Sequence, residues 1–254
     1  MPLWLIIAVS VVGLCVVVIA LFFIARPRYV ARKFDEADCY LVNEFRRCNV
    51  MVFGKKGTGK DLIFAHVIAL RGEKHYANIP YDYNTEVIEL HEVAAGDNSF
   101  VDCINGTVRP FTPRFEEGLD IYISDAGIYF PSSEHNLLDK IYPSLPVDMA
   151  LSRQLYNSNR HTNCQAFERP WIKIREQADS YIQTLGTVER DEFLYVHIRC
   201  YDMYENAKNE VNWVAEFNVR ISKAELMYDS RYFRNIFFEN PPTTEDYIDN
   251  ILWR

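Results

Sequence analysis

NVMVFGKKGTGKDLIFAHVIALR, from Asn49 to Arg71, decides how the rest of the chain is read. The opening run, Asn49 to Phe53, is apolar and β-leaning, and the closing run, Leu62 to Arg71, reads as a helix. Between them Gly54, Gly59 and Lys60 meet the spacing GxxxxGK, and Gly57 adds a flexible position. Strand, glycine loop and helix in that order make an anion site. Residues without Cβ let successive backbone N–H groups turn toward one anion, and the helix presents its positive end to it. Lys60 then reaches the terminal phosphates. The residues expected to hold a nucleoside triphosphate, ATP, are Gly54, Lys55, Lys56, Gly57, Thr58, Gly59, Lys60, Asp61 and Leu62. The alternative is a lysine-glycine surface turn, against which the flanking strand and helix argue.

Asp61 departs from the pattern, standing where a Ser or Thr hydroxyl normally contacts Mg²⁺. A carboxylate near phosphate is repelled by about 4 kcal/mol per charge pair at an effective dielectric near 20. A bound Mg²⁺ reverses that balance, because carboxylate oxygen is a normal ligand for it. Asp125, at the end of the apolar strand IYIS, is the second expected metal ligand and a catalytic candidate. A turn or capping Asp is the alternative. Ala126 follows it where a water-activating Glu was expected, so Glu168 is the first choice for that role and Glu134 the second. Each also reads as a solvated surface carboxylate. Arg153, Arg160 and Arg169 are candidates for stabilising transition-state charge across a subunit boundary, with Arg160 and Arg169 favoured. His161 reads as a helix C-terminal residue.

Outward from this unit, Trp4 to Ala25 runs 22 residues without a charge. At about 1.5 Å per residue that is long enough to cross a bilayer core. Arg26, Arg28, Arg32 and Lys33 follow it and nothing basic precedes it, so the remainder is expected on the cytoplasmic side of the membrane. A cleaved signal peptide is the alternative, disfavoured by the length of the run and the missing positive n-region. The divisions expected are 1–26 as a transmembrane anchor, 27–47 as a juxtamembrane linker or short helix, 48–230 as an α/β domain and 231–254 as a tail.

Within the domain, strands are expected at 74–78, 120–124, 163–167 and 180–185, with helices at 147–160 and 171–178. Segments 85–90 and 100–108 read as a peripheral β-insertion, and 192–201 with 213–221 as a late hairpin on the sheet edge. Such alternation gives a mostly parallel sheet covered on both faces. The net charge of −8 argues against non-specific nucleic-acid binding by bulk field. Six cysteines without a CxxC pair read as reduced thiols rather than a disulfide framework or zinc site.

Four stretches resemble the zonular occludens toxin-like family, which includes filamentous-phage assembly ATPases within the FtsK/HerA-type class: VMVFGKKGTGKD (Val50 to Asp61), YANIP (Tyr76 to Pro80), IYISDAGIYFPS (Ile121 to Ser132) and RHTNCQAFERPWIKIREQADSYIQTL (Arg160 to Leu185). The resemblance implies a P-loop NTPase with a RecA-like sheet, assembling as a homo-oligomeric ring and using ATP at a membrane for phage DNA extrusion or virion assembly. Single-stranded DNA and other phage assembly proteins are the partners it implies. Asp61, Ala126 and Glu168 depart from the family pattern, as does an anchor placed before the domain. A nucleotide-binding scaffold without turnover and a small-molecule or nucleotide kinase are the competing readings.

Overall fold

Val50–Phe53 form β1, four fully buried residues at the centre of an eight-stranded sheet. A run buried on both faces has to be apolar throughout, which is why it shows no alternation. The computed structural model describes residues 14, 17, 32–88, 115–143, 145–202 and 213–227. Residues 32–47 form a helix, α1, ahead of β1. After the glycine loop come α2 (Lys60–Arg71), β2 (His75–Ala77), β3 (Thr85–Val87), β4 (Ile121–Ile123) and α3 (Ala126–Tyr129). Then follow a 3-10 turn (Ser132–Glu134), α4 (His135–Ile141), α5 (Leu145–Tyr156), β5 (Arg160–Cys164) and α6 (Ile172–Arg175). The chain closes with β6 (Ser180–Arg190), β7 (Phe193–Asp202) and β8 (Trp213–Ser222).

The strand order is β3-β2-β4-β5-β1-β6-β7-β8. From β3 to β6 every neighbour is parallel; β6, β7 and β8 form an antiparallel wing. Placing β5 between β4 and β1 brings the C-terminal ends of three strands side by side, with Val52 opposite Asn163 and Ile123 opposite Thr162. One face is covered by α1 and α2, through Leu41, Phe45, Ile63, Phe64, Val67 and Ile68. The other is covered by α3 to α6, through Ala126, Leu138, Met149 and Ile174. This is the mixed α/β sheet that the alternation implies.

Several expectations shift. The strand expected at 163–167 lies at Arg160–Cys164, so His161 is not at a helix end but buried in β5. The helix at 171–178 shortens to one turn, Ile172–Arg175, because Trp171 before it is buried against Phe130 and the chain re-enters the sheet at Ser180. Thr85–Val87 is not an insertion strand but the parallel edge of the main sheet, with its partner β2 one short loop away. The segments 100–108 and 231–254 lie outside the described residues, as does 4–25 apart from Leu14 and Val17, both helical and exposed. Among the described residues no helix is long and apolar enough to cross a membrane.

At the N-terminal ends of the strands, charge is buried and paired. The Arg71 guanidinium donates to Asp120 Oδ2 at 2.5 Å, and the Asn159 amide donates to Oδ1 at 2.6 Å. The Val50 N–H donates to His161 Nδ1 at 3.3 Å, so the ring's proton sits on Nε2, aimed at Asp120 Oδ2 at 3.4 Å. Against the cost of its own burial, the bond from His161 and the charge of Arg71 hold the Asp120 carboxyl down at about 2. Burial holds the His161 imidazole neutral and its pKa below the usual histidine range. His75 is lowered by burial in the same way.

The unfolded chain protonates both histidines near 6.5, whereas the folded chain resists. Their stabilisation is therefore complete above about pH 6.5 and is lost as pH falls toward the depressed folded values. The urea midpoint of the full chain in detergent is expected to hold nearly level from pH 7.5 to about 6.5 and to fall below it toward pH 5, less steeply in His161→Asn; a profile flat throughout would contradict the assignment.

Candidate functional site

The loop joining β1 to α2 is fixed at its entry, where the Gly54 N–H donates to Cys164 O at 3.2 Å, and by the Thr58 N–H donating to Lys55 O at 3.3 Å. Gly57 and Gly59 sit at φ 79° and 94°, angles that L side chains rarely adopt and that let consecutive peptides curl around an anion. Lys55, Lys56 and Gly57 form the exposed crest, while Leu62 turns partly into the core beneath α2. Lys60 is only 6% exposed, with Nζ 3.4 Å from Lys55 O, so the ammonium is held inside the curl of the loop.

Asp61, in the first turn of α2, is held by three neutral donors on one oxygen. Ser124 Oγ donates to Oδ1 at 2.6 Å, Asn163 Nδ2 at 2.7 Å and the Tyr81 hydroxyl at 3.1 Å. Asn163 Oδ1 in turn accepts the Asp125 N–H at 2.8 Å, so one side chain fixes both acidic positions. Asn78 extends the lattice, donating to Ser124 O at 3.1 Å and accepting the Ser124 N–H at 2.7 Å. These side chains stand at the C-terminal ends of β2, β4 and β5, the side of a parallel sheet on which ligands bind.

Asp125 has φ 52° and leads into α3. Burial pushes its carboxyl above the usual range, the Asp61 charge pushes it further, and Lys60 opposes. Two acids and one ammonium thus share one locality, with a surplus of negative charge. The Tyr129 phenol, raised to about 12 by burial and by Asp125, borders them. Oxygen donors from two carboxylates suit a hard divalent cation such as Mg²⁺, whose charge would relieve the repulsion raising Asp125. Ala126 is fully buried and supplies no carboxylate.

Glu168 lies not on the strand's end but in an exposed turn beyond Cys164. That turn is bound to the α3 segment: Ser132 N–H donates to Arg169 O at 2.8 Å and Trp171 N–H to Phe130 O at 2.7 Å. Burial pushes the Cys164 thiol up to about 12, with Lys60 opposing the rise and Asp125 and Glu168 adding to it. Arg169 is exposed, with Nη1 3.3 Å from Gln165 Oε1. Glu134, in the 3-10 turn, and Arg153, on α5, are also exposed.

Arg160 is a correction. It begins β5, about 13 Å of strand from the loop end, and is 2% exposed. Its Nε donates to Asp148 Oδ2 at 3.1 Å and Nη1 to Ser158 Oγ at 2.7 Å, with the guanidinium over the rings of Phe115 and Tyr156. A residue buried in that way cannot reach into a neighbouring subunit. Asn78, Tyr81, Ser124 and Asn163 were missed by the sequence reading; the signal was a polar residue at or just beyond the C-terminal end of each short apolar strand.

No protein-family model matches the chain, and no curated protein matches it. Solved structures similar to it include the genome packaging NTPase B204 from Sulfolobus turreted icosahedral virus 2 in complex with AMPPCP, 12% identical over 67% of this chain and 98% of that one, with a TM-score of 0.40. The N-terminal domain of zonular occludens toxin from Neisseria meningitidis is 10% identical over 74% of this chain and 97% of that one, with a TM-score of 0.37. EssC (ATPases 2 and 3) from Geobacillus thermodenitrificans is 9% identical over 76% and 43%, with a TM-score of 0.37. They include the family named by the sequence resemblance. At these identities the likeness says nothing of ligand or reaction.

Truncating one member of a buried ion pair leaves the other uncompensated, at a cost of about 3–5 kcal/mol. Arg160→Ala is expected to lose that much stability by urea unfolding, and Arg160→Met paired with Asp148→Leu to recover most of it; a near-neutral Arg160→Ala would return this arginine to the list of exposed candidates.

Proposed function

We propose that this chain is a membrane-anchored P-loop ATPase that drives phage DNA translocation or virion assembly and extrusion. The observation that carries the reading is the buried Lys60 beside Asp61 and Asp125, with Asn163 holding both acids at the mouth of a glycine loop. In this reading the loop amides and Lys60 bind the β and γ phosphates, and Leu62 closes the loop onto α2. Asp61 and Asp125 are the residues that would hold Mg²⁺, which supplies charge neutralisation at the phosphates when bound. Glu168 orients the attacking water from its turn beyond β5, and the exposed Arg169 reaches a neighbouring subunit of a ring. The ring, single-stranded DNA as cargo and other phage assembly proteins as partners complete the proposal.

A second reading rests on Ala126. With no carboxylate beside Asp125, the chain would bind ATP and act as a scaffold for assembly without turning it over. ATP hydrolysis by the full chain in detergent separates the two. Turnover that requires Mg²⁺ and falls about 100-fold in Lys60→Ala supports the ATPase; tight binding without phosphate release supports the scaffold; turnover indifferent to Lys60→Ala refutes the site.

The membrane part of the proposal rests on the uncharged 4–25 segment and on the basic residues after it. A cytoplasm-active reporter fused after Arg254 is expected to be active, and one that works only outside the cytoplasm is expected to be silent. The reverse pattern would invert the topology.

A further inference from the structure

β6 contains one residue more than its partner can match. Its ladder with β7 pairs Thr184 with Ile198 and then Gly186 with His197, leaving Leu185 over. In an unbroken strand residues three apart point to opposite faces; a bulge between them reverses that parity. Ile182, two residues before Thr184, and Val196, the partner of Thr187, both belong to the core under α1 and α2. Thr184 and Thr187 therefore share the face that carries α2, and both lie against the phosphate loop.

The contacts are close. Thr184 is 2% exposed, and its Oγ1 is 2.7 Å from Thr58 Oγ1. Thr58 has the Lys55 carbonyl as acceptor, also at 2.7 Å, and the other acceptor of the Thr184 hydroxyl, Phe53 O, is farther at 3.4 Å, so the shorter pair of bonds has Thr184 donating to Thr58. A Cβ on Gly54 would come within 2.2 Å of Thr184 Oγ1 and 2.5 Å of Thr184 O. A Cβ on Gly59 would come within 2.7 Å of Thr187 Oγ1 and 3.1 Å of the Val196 methyls. Two of the loop's glycines are thus required by direct seating on β6 and β7, Gly54 without any unusual φ.

We propose that the bulge at Leu185 is a positioning device for the phosphate site, with Thr184 as the positioning residue and Thr187 as the stop beneath Gly59. Together they hold residues 54–60 in their anion-binding shape before a ligand arrives. The inference rests on the nucleotide reading above and gives it a consequence: a loop ordered in advance loses less freedom on binding, so the Thr184 hydroxyl sets affinity.

The test uses the full chain in detergent. Thr184→Val keeps the shape and removes the hydroxyl, and Thr184→Ser keeps the hydroxyl. Without ligand, amide hydrogen exchange in residues 54–60 is expected to be about tenfold faster in Thr184→Val and unchanged in Thr184→Ser, as loss of one hydrogen bond implies. Affinity for a non-hydrolysable ATP analogue is expected to follow, falling about tenfold in Thr184→Val and less than about twofold in Thr184→Ser. Thr58→Val removes the same hydrogen bond from its other end together with the loop's own bond to Lys55 O, so its loop exchange is expected to be faster by at least as much, and no acceleration there overturns the proposal even where a Thr184→Val chain does not fold. Unchanged loop exchange in these valine variants overturns the proposal, as does an equal loss in Thr184→Ser, which keeps the hydroxyl and would detach the effect from the hydrogen bond. Exchange that responds as expected in a wild-type chain that binds no nucleotide overturns the nucleotide reading and leaves the hold of β6 on the loop standing.

Discussion

A carboxylate at position 61 must be satisfied whether or not a cation is present, and the top of the sheet is organised around doing so. Ser124, Asn163 and Tyr81 converge on Asp61 Oδ1, which ties the first turn of α2 to the ends of β4 and β5 and to the chain after β2. Charge-assisted hydrogen bonds of this kind are among the stronger ones available. Because Asn163 also accepts the Asp125 N–H, the second acid inherits its place from the first. A Ser or Thr at position 61 would need no such lattice.

The two ends of the parallel strands handle charge in opposite ways. At the N-terminal ends Asp120 is neutralised by Arg71 and hydrogen-bonded by Asn159, and Asp148 is paired with Arg160, all nearly buried. There the carboxyl of Asp120 is held low and the histidines stay neutral, as suits a fixed base. At the C-terminal ends Asp125 is raised, because burial and the Asp61 charge both oppose its ionisation. At this end of the strands burial and neighbouring charge therefore oppose ionisation, where at the other end they are compensated.

The antiparallel wing links the loop to the helix before β1. On α1, Tyr40 meets Phe217 with ring centroids 5.1 Å apart, Phe34 meets Tyr195 at 5.8 Å, and the Arg220 guanidinium lies over Phe34 at 4.9 Å. His66 on α2 hydrogen-bonds Asp38 on α1 at 2.8 Å. The wing and α2 therefore both touch α1, and both touch the loop. Of the two readings of this segment, linker or short helix, residues 32–47 take the helix, and they belong to the core, with Ala37, Leu41 and Phe45 fully buried.

Sequence alone determined the local unit: an apolar strand, glycines at fixed spacing, a lysine and a helix-like run are all contiguous, and their chemistry follows from adjacency. It also determined the parallel character of the sheet and the late antiparallel strands, since buried and edge strands differ in pattern. Only the tertiary structure decided which distant polar residues meet. Asn163 lies 102 residues from Asp61 and Thr184 lies 126 from Thr58, and no periodicity reveals such pairings. Arg160 shows the same limit in reverse. It was expected at a helix end and favoured as a residue acting across a subunit boundary, but the strand begins three residues earlier than expected and takes Arg160 in at its far end, where burial demands a partner and Asp148 supplies one.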